Sequence, residues 1–310
     1  MKQKIDLSKI KKISLKKRKS RIGINNFAKL NSSKSSFAKF LDSMPDILAA
    51  SDLKAVIRAV KKARLNKKPI IFMMGAHVIK CGLNPLLIDL MKRGFINVIA
   101  FNGACAIHDF ELAFCGQTSE NVEASIQDGS FGMSKETSDF FNQAINLADK
   151  ENAGFGFTLG KLIKKSKLKF KNYSLLANAY KYKIPLTVHV AIGTDIIHPH
   201  PGCDGAKLGK ASMDDFYSFI ESVSGLEGGV VFNIGSAVIM PEVFLKAISA
   251  ARNLKFKVHN FTTVCMDMIK HYRPVQNVMK RPTAAGGQGY YLIGHHEIMI
   301  PLLYRALIEG

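Results

Sequence analysis

The sequence lacks the features of a membrane or exported protein. No apolar run reaches the roughly 18 residues that a membrane-spanning helix needs. The amino-terminal segment is basic, and no apolar stretch of the kind found in secretory signals follows it. The five cysteines form no CxxC pair and no regular spacing, so no disulfide framework is predicted. These absences predict a soluble cytoplasmic protein whose thiols are reduced.

Acidic residues are scarce, with 24 Asp and Glu against 44 Lys and Arg and a formal net charge of +20. Ten of the first 21 residues are Lys or Arg. Such an excess can attract nucleic acid or an acidic partner. However, no basic strand is interleaved with aromatics and no zinc-finger spacing is present, so a solvated basic surface is favoured over nucleic-acid binding.

Two segments differ in their pattern. Residues 1–35 are basic and serine-rich with little apolar periodicity, which predicts a loosely held arm. Residues 36–310 have the pattern of one globular domain. Strands are predicted at 69–74, 97–101, 185–192, 230–234, 256–264 and 290–293. Helices are predicted at 52–64, 84–94, 105–114, 134–150, 156–182 (one or two), 212–224, 241–253 and 296–308.

Wholly apolar strands that alternate with helices indicate a parallel sheet whose two faces are both buried. The predicted fold class is therefore α/β, a three-layer Rossmann-like domain with a parallel sheet covered by helices on both faces. In such sheets, ligands bind outside the carboxyl ends of the strands.

Small and polar residues follow four of the predicted strands. These turns are Gly75-Ala76-His77, Asn102-Gly103-Ala104, Gly193-Thr194-Asp195 and Gly235-Ser236-Ala237. Small residues let phosphate oxygens approach backbone N–H groups, and helix N-termini favour negative charge. The four turns together predict a site of dinucleotide size. No GxGxxG motif is present, which argues against an ordinary Rossmann dehydrogenase.

Four blocks of the chain resemble the deoxyhypusine synthase family, over roughly residues 65–310. The blocks are IFMMGAHVIKCGLNPLLIDLMKRGFINVIAFNGACAIHD, VHVAIGTDIIHPH, FNIGSAVIMPEVFLKAISAARN and GHHEIMIPLLYRAL. The resemblance implies NAD as cofactor and a homotetramer with active sites shared between subunits. It also implies a set of cofactor-binding residues: Gly75, Ala76, His77, Asn102, Gly103, His108, Asp109, Thr194, Gly235, Ser236 and His295.

The same resemblance implies the substrate and catalytic residues. Asp195 matches the family's aspartate that grips one end of a polyamine, and Asp267 has the spacing of a second amine-binding acid. The full set of predicted substrate contacts is Asp195, Asp267, His198, His200 and Glu242. Lys280 lies near the position of the family's catalytic lysine, and His296 is the second predicted catalytic residue. Neighbouring cations can lower the pKa of a lysine, and Lys280 has Arg281 beside it.

The chain also departs from the family. It has no tryptophan, whereas the family packs one against the polyamine, and the basic segment MIKHYRPVQ replaces an acidic, glycine-rich loop. The sequence therefore indicates a divergent paralogue that acts on a different amine or on an anionic substrate.

Three functions remain open from the sequence. The leading hypothesis is an NAD-dependent transferase or lyase that acts on a small-molecule amine through an imine intermediate. The first alternative is a metal-dependent hydrolase in which His198 and His200 bind a metal with His108 or Asp109, although no metal ligands are favoured. The second alternative is a non-catalytic NAD-binding or nucleic-acid-associated protein that uses the basic arm.

Overall fold

A computed structural model of the chain describes residues 5–309. The strands are β1 (Ile70–Met74), β2 (Val98–Asn102), β3 (Leu186–His189), β4 (Val230–Ile234), β5 (Thr262–Asp267) and β6 (Gln288–Ile293). The α-helices are α1 (Phe37–Ser43), α2 (Leu48–Leu65), α3 (His77–Lys80), α4 (Asn84–Lys92), α5 (Gly103–Cys115), α6 (Val122–Asp128), α7 (Lys135–Glu151), α8 (Phe155–Lys165), α9 (Leu175–Tyr182), α10 (Gly205–Ser224), α11 (Ile239–Asn253) and α12 (His296–Ile308). A π-helix spans Pro274–Lys280.

The six strands form one sheet in the order β3-β2-β1-β4-β5-β6. Every neighbouring pair is parallel. This order is that of the doubly wound dinucleotide-binding folds, in which the chain reverses its direction of strand addition between β1 and β4. The predicted α/β Rossmann-like fold class is confirmed.

Helices cover both faces of the sheet, as strand β1 shows. Ile70, Phe72 and Met74 belong to one buried cluster, whereas Ile71 and Met73 belong to a second cluster on the opposite face. Alternate residues of a strand point to opposite faces, so an entirely apolar strand is stable only between two helical layers.

Helix α10 covers the outer edge of the sheet at β3. The N–H of Val188 donates to Oδ2 of Asp215 at 2.7 Å. The hydroxyl of Ser212 donates to the carbonyl of Val188 at 3.1 Å and accepts from the N–H of Val190 at 3.2 Å. Two side chains thus satisfy the backbone groups that a further strand would otherwise bind.

Several predicted elements match the structure and others do not. Strand β4 and helix α12 have the predicted bounds. The strand predicted at 256–264 is wrong at its start, because β5 begins at Thr262, where it pairs with Val230. Helices α1, α3 and α6 were missed, since four to seven residues give too few turns for a visible periodicity.

The predicted arm packs little against the rest of the chain. Residues 5–35 contain three short 3-10 turns and no buried residue. Residues 1–4 of the arm lie outside the described part, and the boundary between arm and domain stays a prediction. None of the helices within residues 5–309 combines the length and apolar composition of a membrane span.

Candidate functional site

Two glycine turns meet where the strand order reverses, between β1 and β4. A Cβ added to Gly75 would lie 2.0 Å from the carbonyl oxygen of Gly235. The N–H of Gly75 also donates to the carbonyl of Ile234 at 2.9 Å. Gly235 has φ +63°, and a Cβ there would lie 2.8 Å from Nε2 of His296. Glycine is therefore required at both positions, because Gly235 and His296 occupy the space that a side chain would need.

A buried histidine packs against these turns. His296 begins α12, is 2% exposed, and its Nδ1 has no hydrogen-bond partner. Burial lowers the pKa of His296, although the charge of Asp267 opposes this effect, so the neutral imidazole is favoured. The ring centroid of His77 lies 5.7 Å from that of His296. Two predicted histidines thus lie together at the reversal point.

Asp267 ends β5 on the same edge of the sheet. Its Oδ1 accepts from the N–H of Met268 at 2.8 Å, and its Oδ2 lies 3.6 Å from Nε2 of His271. Asp267 is buried, with 8% of its surface exposed. Asp267 thus lies between two histidines in its interactions: it pairs with His271, and its charge acts on His296.

Asp195 lies over the start of α5, on the side of the site formed by β2 and β3. Asn102 caps this helix, because its Oδ1 accepts from the N–H of Cys105 at 3.0 Å. A Cβ on Gly103 would lie 1.9 Å from Oδ2 of Asp195. The carboxylate therefore rests on the first residue of α5, where the helix dipole favours negative charge.

The carboxylate of Asp195 is buried without a full set of partners. The residue is 8% exposed, and its Oδ2 accepts no hydrogen bond within the described residues. Burial raises the pKa of Asp195 to about 6. A buried carboxylate that lacks donors is costly, and such groups are common where a ligand supplies the missing partner.

His198 turns an N–H group towards this carboxylate. Its Nδ1 accepts from the N–H groups of Gly193 and Asp195, both at 3.1 Å. The neutral ring must then carry its proton on Nε2. This nitrogen is buried, has no hydrogen-bond partner in residues 5–309, and lies 3.9 Å from Oδ2 of Asp195. Burial lowers the pKa of His198, which favours this neutral form.

A cavity of about 210 Å³ lies beside Asp195. Lys80, His108, Glu111 and Thr194 are among the residues that line it. Nδ1 of His108 lies 2.6 Å from the hydroxyl of Thr118 and 3.4 Å from Oε2 of Glu111. The cavity thus has both a cation and carboxylates in its wall.

The remaining predicted residues of the turns also lie at this edge. The hydroxyl of Ser236, three residues before α11, accepts from the N–H of Met240 in the first turn of that helix at 3.2 Å. Ala76 immediately precedes α3, and His295 is an exposed residue at the start of α12. The glycine turns and the two buried acids, Asp195 and Asp267, therefore share the carboxyl edge of the sheet.

Asp109 is fully engaged within the chain, so the geometry does not support its predicted cofactor role. Its oxygens accept from the hydroxyl of Ser174 at 2.5 Å and from the N–H groups of Leu175 and Leu176 at 2.7 and 3.0 Å. Nδ2 of Asn84 donates to it at 3.2 Å. These groups occupy the carboxylate at the start of α9, so none of its oxygens is left for a cofactor.

Two predicted substrate contacts are engaged elsewhere in the chain. Nε2 of His200 lies 3.0 Å from the carbonyl of Gly132. Glu242 accepts from Asn277 at 2.8 Å and lies 3.2 Å from Nε of Arg273, so it ties the π-helix to α11. Neither prediction is supported by the geometry.

The backbone of Lys280 lies away from the candidate site, so the geometry of a single chain does not support its predicted catalytic role. Lys280 is exposed and ends the π-helix. The preceding residue, Met279, packs against Gly289 near the start of β6, where a Cβ would lie 2.4 Å from its carbonyl. From Gly289 to Ile293 the strand advances about 13 Å. Lys280 therefore lies towards the amino end of the sheet.

Most of the residues predicted for the metal-site alternative are engaged with other groups of the chain. His200 and Asp109 have the partners given above, and Nδ1 of His198 already accepts two N–H groups. Across residues 5–309, no group of three or more His, Cys, Asp or Glu side chains is arranged to hold a metal ion.

Sequence reasoning missed Lys80, Glu111 and His271, which lie near the predicted acids and histidines. Lys80 lies in the four-residue helix α3, which is too short to show a periodic pattern. Glu111 follows His108 by three residues on α5, a spacing that places both on one helix face. That spacing was the available signal for Glu111.

Solved structures show what this fold is similar to. Unliganded AgrE has a TM-score of 0.53 at 14% identity, covering 90% of this chain and 34% of AgrE. AgrE in its ternary complex with ornithine and NAD+ has a TM-score of 0.50 at 14% identity, covering 83% of this chain and 32% of AgrE. A protein from Entamoeba histolytica, provisionally named a deoxyhypusine synthase, has a TM-score of 0.50 at 11% identity, covering 89% of this chain and 94% of its own.

The fold is Rossmann-like. At these identities the similarity concerns the fold alone, and the chain spans about a third of the length of AgrE. No protein-family model matches the chain, and no curated protein sequence matches it. Membership of the deoxyhypusine synthase family is therefore not confirmed.

Proposed function

We propose that the protein is an NAD-dependent enzyme that acts on an amine or amino acid. The observation that carries this proposal is the Asp195 carboxylate, which is buried, lacks a partner on Oδ2 and lines a cavity at the carboxyl edge of the sheet. An ammonium group would supply both the missing donors and the compensating charge.

The residues at the strand reversal fit a dinucleotide. The turns that follow β1 and β4 carry only small residues, Gly75-Ala76 and Gly235-Ser236, and the second turn leads into α11. Helices α11 and α12 both begin at this edge, and helix N-termini favour phosphate charge. Asp195 occupies the start of α5, and the N–H groups of Gly75 and Gly235 donate to Ile234 and Met266. The phosphates would therefore be held at Ala76 and Ser236, the next residue of each turn.

When bound, NAD supplies a hydride acceptor. The protein's own groups would bind and orient the substrate. Asp195 would bind the ammonium group of the substrate. The Nε2 proton of His198 would hold the Asp195 carboxylate in place. His296, neutral and with a free Nδ1, is suited to accept a proton. AgrE, about a third of which is similar in fold to this chain, forms a ternary complex with ornithine and NAD+.

Substrate binding would depend on the ionisation of Asp195. Only the ionised carboxylate attracts an ammonium, and burial raises its pKa to about 6. We therefore expect amine affinity to rise with pH up to about 6 and then to level off.

Isothermal titration with ornithine and with spermidine tests the substrate class. Asp195→Asn should weaken binding of the active probe by about tenfold to a hundredfold, because it removes one partner of a buried charge pair. The matched control is Asp139→Asn, which removes the same charge from an exposed site on α7. Equal affinities in Asp195→Asn and the wild type would remove the amine proposal.

The cofactor is tested separately by its effect on the melting temperature. NAD+ should raise the melting temperature of both the wild type and Asp195→Asn, because the proposed cofactor residues lie at the strand reversal. The absence of any shift in both proteins would argue against NAD, whatever the outcome with amines.

A further inference from the structure

A large cavity lies away from the candidate site. It has a volume of about 740 Å³ and is bordered by Pro185 and Leu186, at the amino end of β3. Asp195 follows the opposite, carboxyl end of the same strand. A volume of this size is typical of sites for small molecules.

The wall of this β3 cavity is mainly apolar and aromatic. Helix α8 contributes Phe157 and helix α9 contributes Tyr180, with ring centroids 5.4 Å apart. Phe157 is 49% exposed, so part of its ring is open to a molecule in the cavity. Ile184, Pro185 and Leu186 continue the apolar surface.

Three lysines surround this surface: Lys164, Lys181 and Lys183. Within the described residues, none of them forms an ion pair with a carboxylate. Lys164 and Lys181 lie in the last turns of α8 and α9, where a positive charge interacts favourably with the helix dipole. That role explains their positions on the helices, but it does not explain the apolar cavity between them.

The two acids of the cavity do not neutralise these lysines. Asp214 is paired with Lys210 at 3.2 Å. Asp215 accepts from the N–H groups of Gly156 and Val188, and burial raises its pKa to about 8, so it carries little charge at neutral pH. The border of the cavity therefore keeps a positive potential.

We infer that the β3 cavity binds a small organic anion, whose apolar body packs against Phe157 and Tyr180 and whose carboxylate or phosphate is held by the lysines. A second copy of this chain is a poorer occupant, because each chain has a net charge of +20 and the copies repel. This inference is independent of the amine and NAD proposals.

Isothermal titration with three probes that share a ten-carbon chain tests the inference. Decanoate and decyl phosphate should bind, and their relative affinities distinguish a carboxylate from a phosphate site. Decyltrimethylammonium, with the same body and the opposite charge, should not bind measurably. Equal binding of the cation would overturn the inference, as would no binding of either anion.

Two variants locate the binding. Lys181→Gln with Lys183→Gln should weaken the anion about tenfold, since it removes two charges beside the cavity. Lys11→Gln with Lys12→Gln removes the same charge from the exposed arm and should leave affinity unchanged. Equal weakening by both pairs would show attraction to net charge only and would overturn the assignment.

Ser218→Phe provides a test that does not depend on charge. Ser218 lines the β3 cavity from α10 and is half-buried, so a phenyl ring there should fill the space and abolish anion binding. Retained affinity in a folded Ser218→Phe protein would contradict the site. If no anion bound the wild type, and Ser218→Phe changed its sedimentation coefficient, the cavity would be a contact between protein chains. That result would overturn the inference.

Discussion

Asp109 and Asp195 occupy two regions that look alike by burial and differ in their hydrogen bonds. Both are buried, and burial raises the pKa of each to about 6. Asp109 accepts four hydrogen bonds from Asn84 and the start of α9. Asp195 instead has an oxygen without a donor and lines a cavity. A raised pKa alone therefore does not separate a structural acid from a binding acid, whereas the count of donors does.

The largest effect on this comparison should come from Asp109→Asn. The new amide group would face the donors of Ser174, Leu175 and Leu176, leaving buried N–H groups without acceptors. We expect the free energy of unfolding to fall by about 3–5 kcal/mol. Urea unfolding at pH 7 measures this, with the exposed Asp139→Asn as a control that should change it by less than about 0.5 kcal/mol. If Asp109→Asn lowered the free energy of unfolding by less than about 1 kcal/mol, the hydrogen bonds of Asp109 to the start of α9 would not be important for stability.

The same substitution at Asp195 should change the free energy of unfolding in the opposite direction and stabilise the protein. The pKa of Asp195 is about 6 in the folded protein and about 4 in an unfolded chain, so the unfolded state loses its proton first. Ionisation therefore destabilises the fold as pH rises from about 4 to 6, and the full cost is present above 6. We expect Asp195→Asn to raise the free energy of unfolding by about 2 kcal/mol at pH 8 and to leave it unchanged at pH 4.

Urea unfolding of Asp195→Asn and the wild type at the two pH values provides the measurement. A gain of equal size at both pH values would mean that the carboxylate charge is not the cause. A loss at pH 8 would mean that Asp195, like Asp109, is held by donors.

A smaller effect should come from the glycine beneath Asp195. The Cβ of Gly103→Ala would meet Oδ2 of Asp195 at 1.9 Å, and we expect a loss of about 1–3 kcal/mol as the carboxylate is displaced. The loss should shrink in an Asp195→Ala background, because the clashing group is gone. Equal losses in both backgrounds, measured by urea unfolding, would contradict this contact.

Gly209→Ala on α10 is the matched control for Gly103→Ala. A Cβ there meets no atom within 4 Å, so the change should stabilise the helix by about 0.5–1 kcal/mol. A destabilised Gly209→Ala protein would mean that the losses do not report on the added methyl group alone.

The sequence predicted the elements of the fold better than the partners of its side chains. The apolar pattern placed β4 and α12 at their observed bounds, because β4 is a short run of buried residues and the burial of α12 follows the helical period. It did not reveal that Ser174, 65 residues away, would bind Asp109, nor that Gly132 would bind His200. It also did not reveal that the π-helix ending at Lys280 returns towards the start of β6.

By itself, the sequence determined a sheet of apolar parallel strands between two helical layers, with small residues at the strand ends. Burial on both faces and tight turns depend on residues that are neighbours in the chain. A local pattern is therefore enough to predict them. Only the tertiary structure decided that β1 lies beside β4, that Gly75 touches Gly235, and which buried acid keeps an unpaired oxygen. These outcomes depend on groups far apart in the chain, and the local pattern contains no information on which of them will meet.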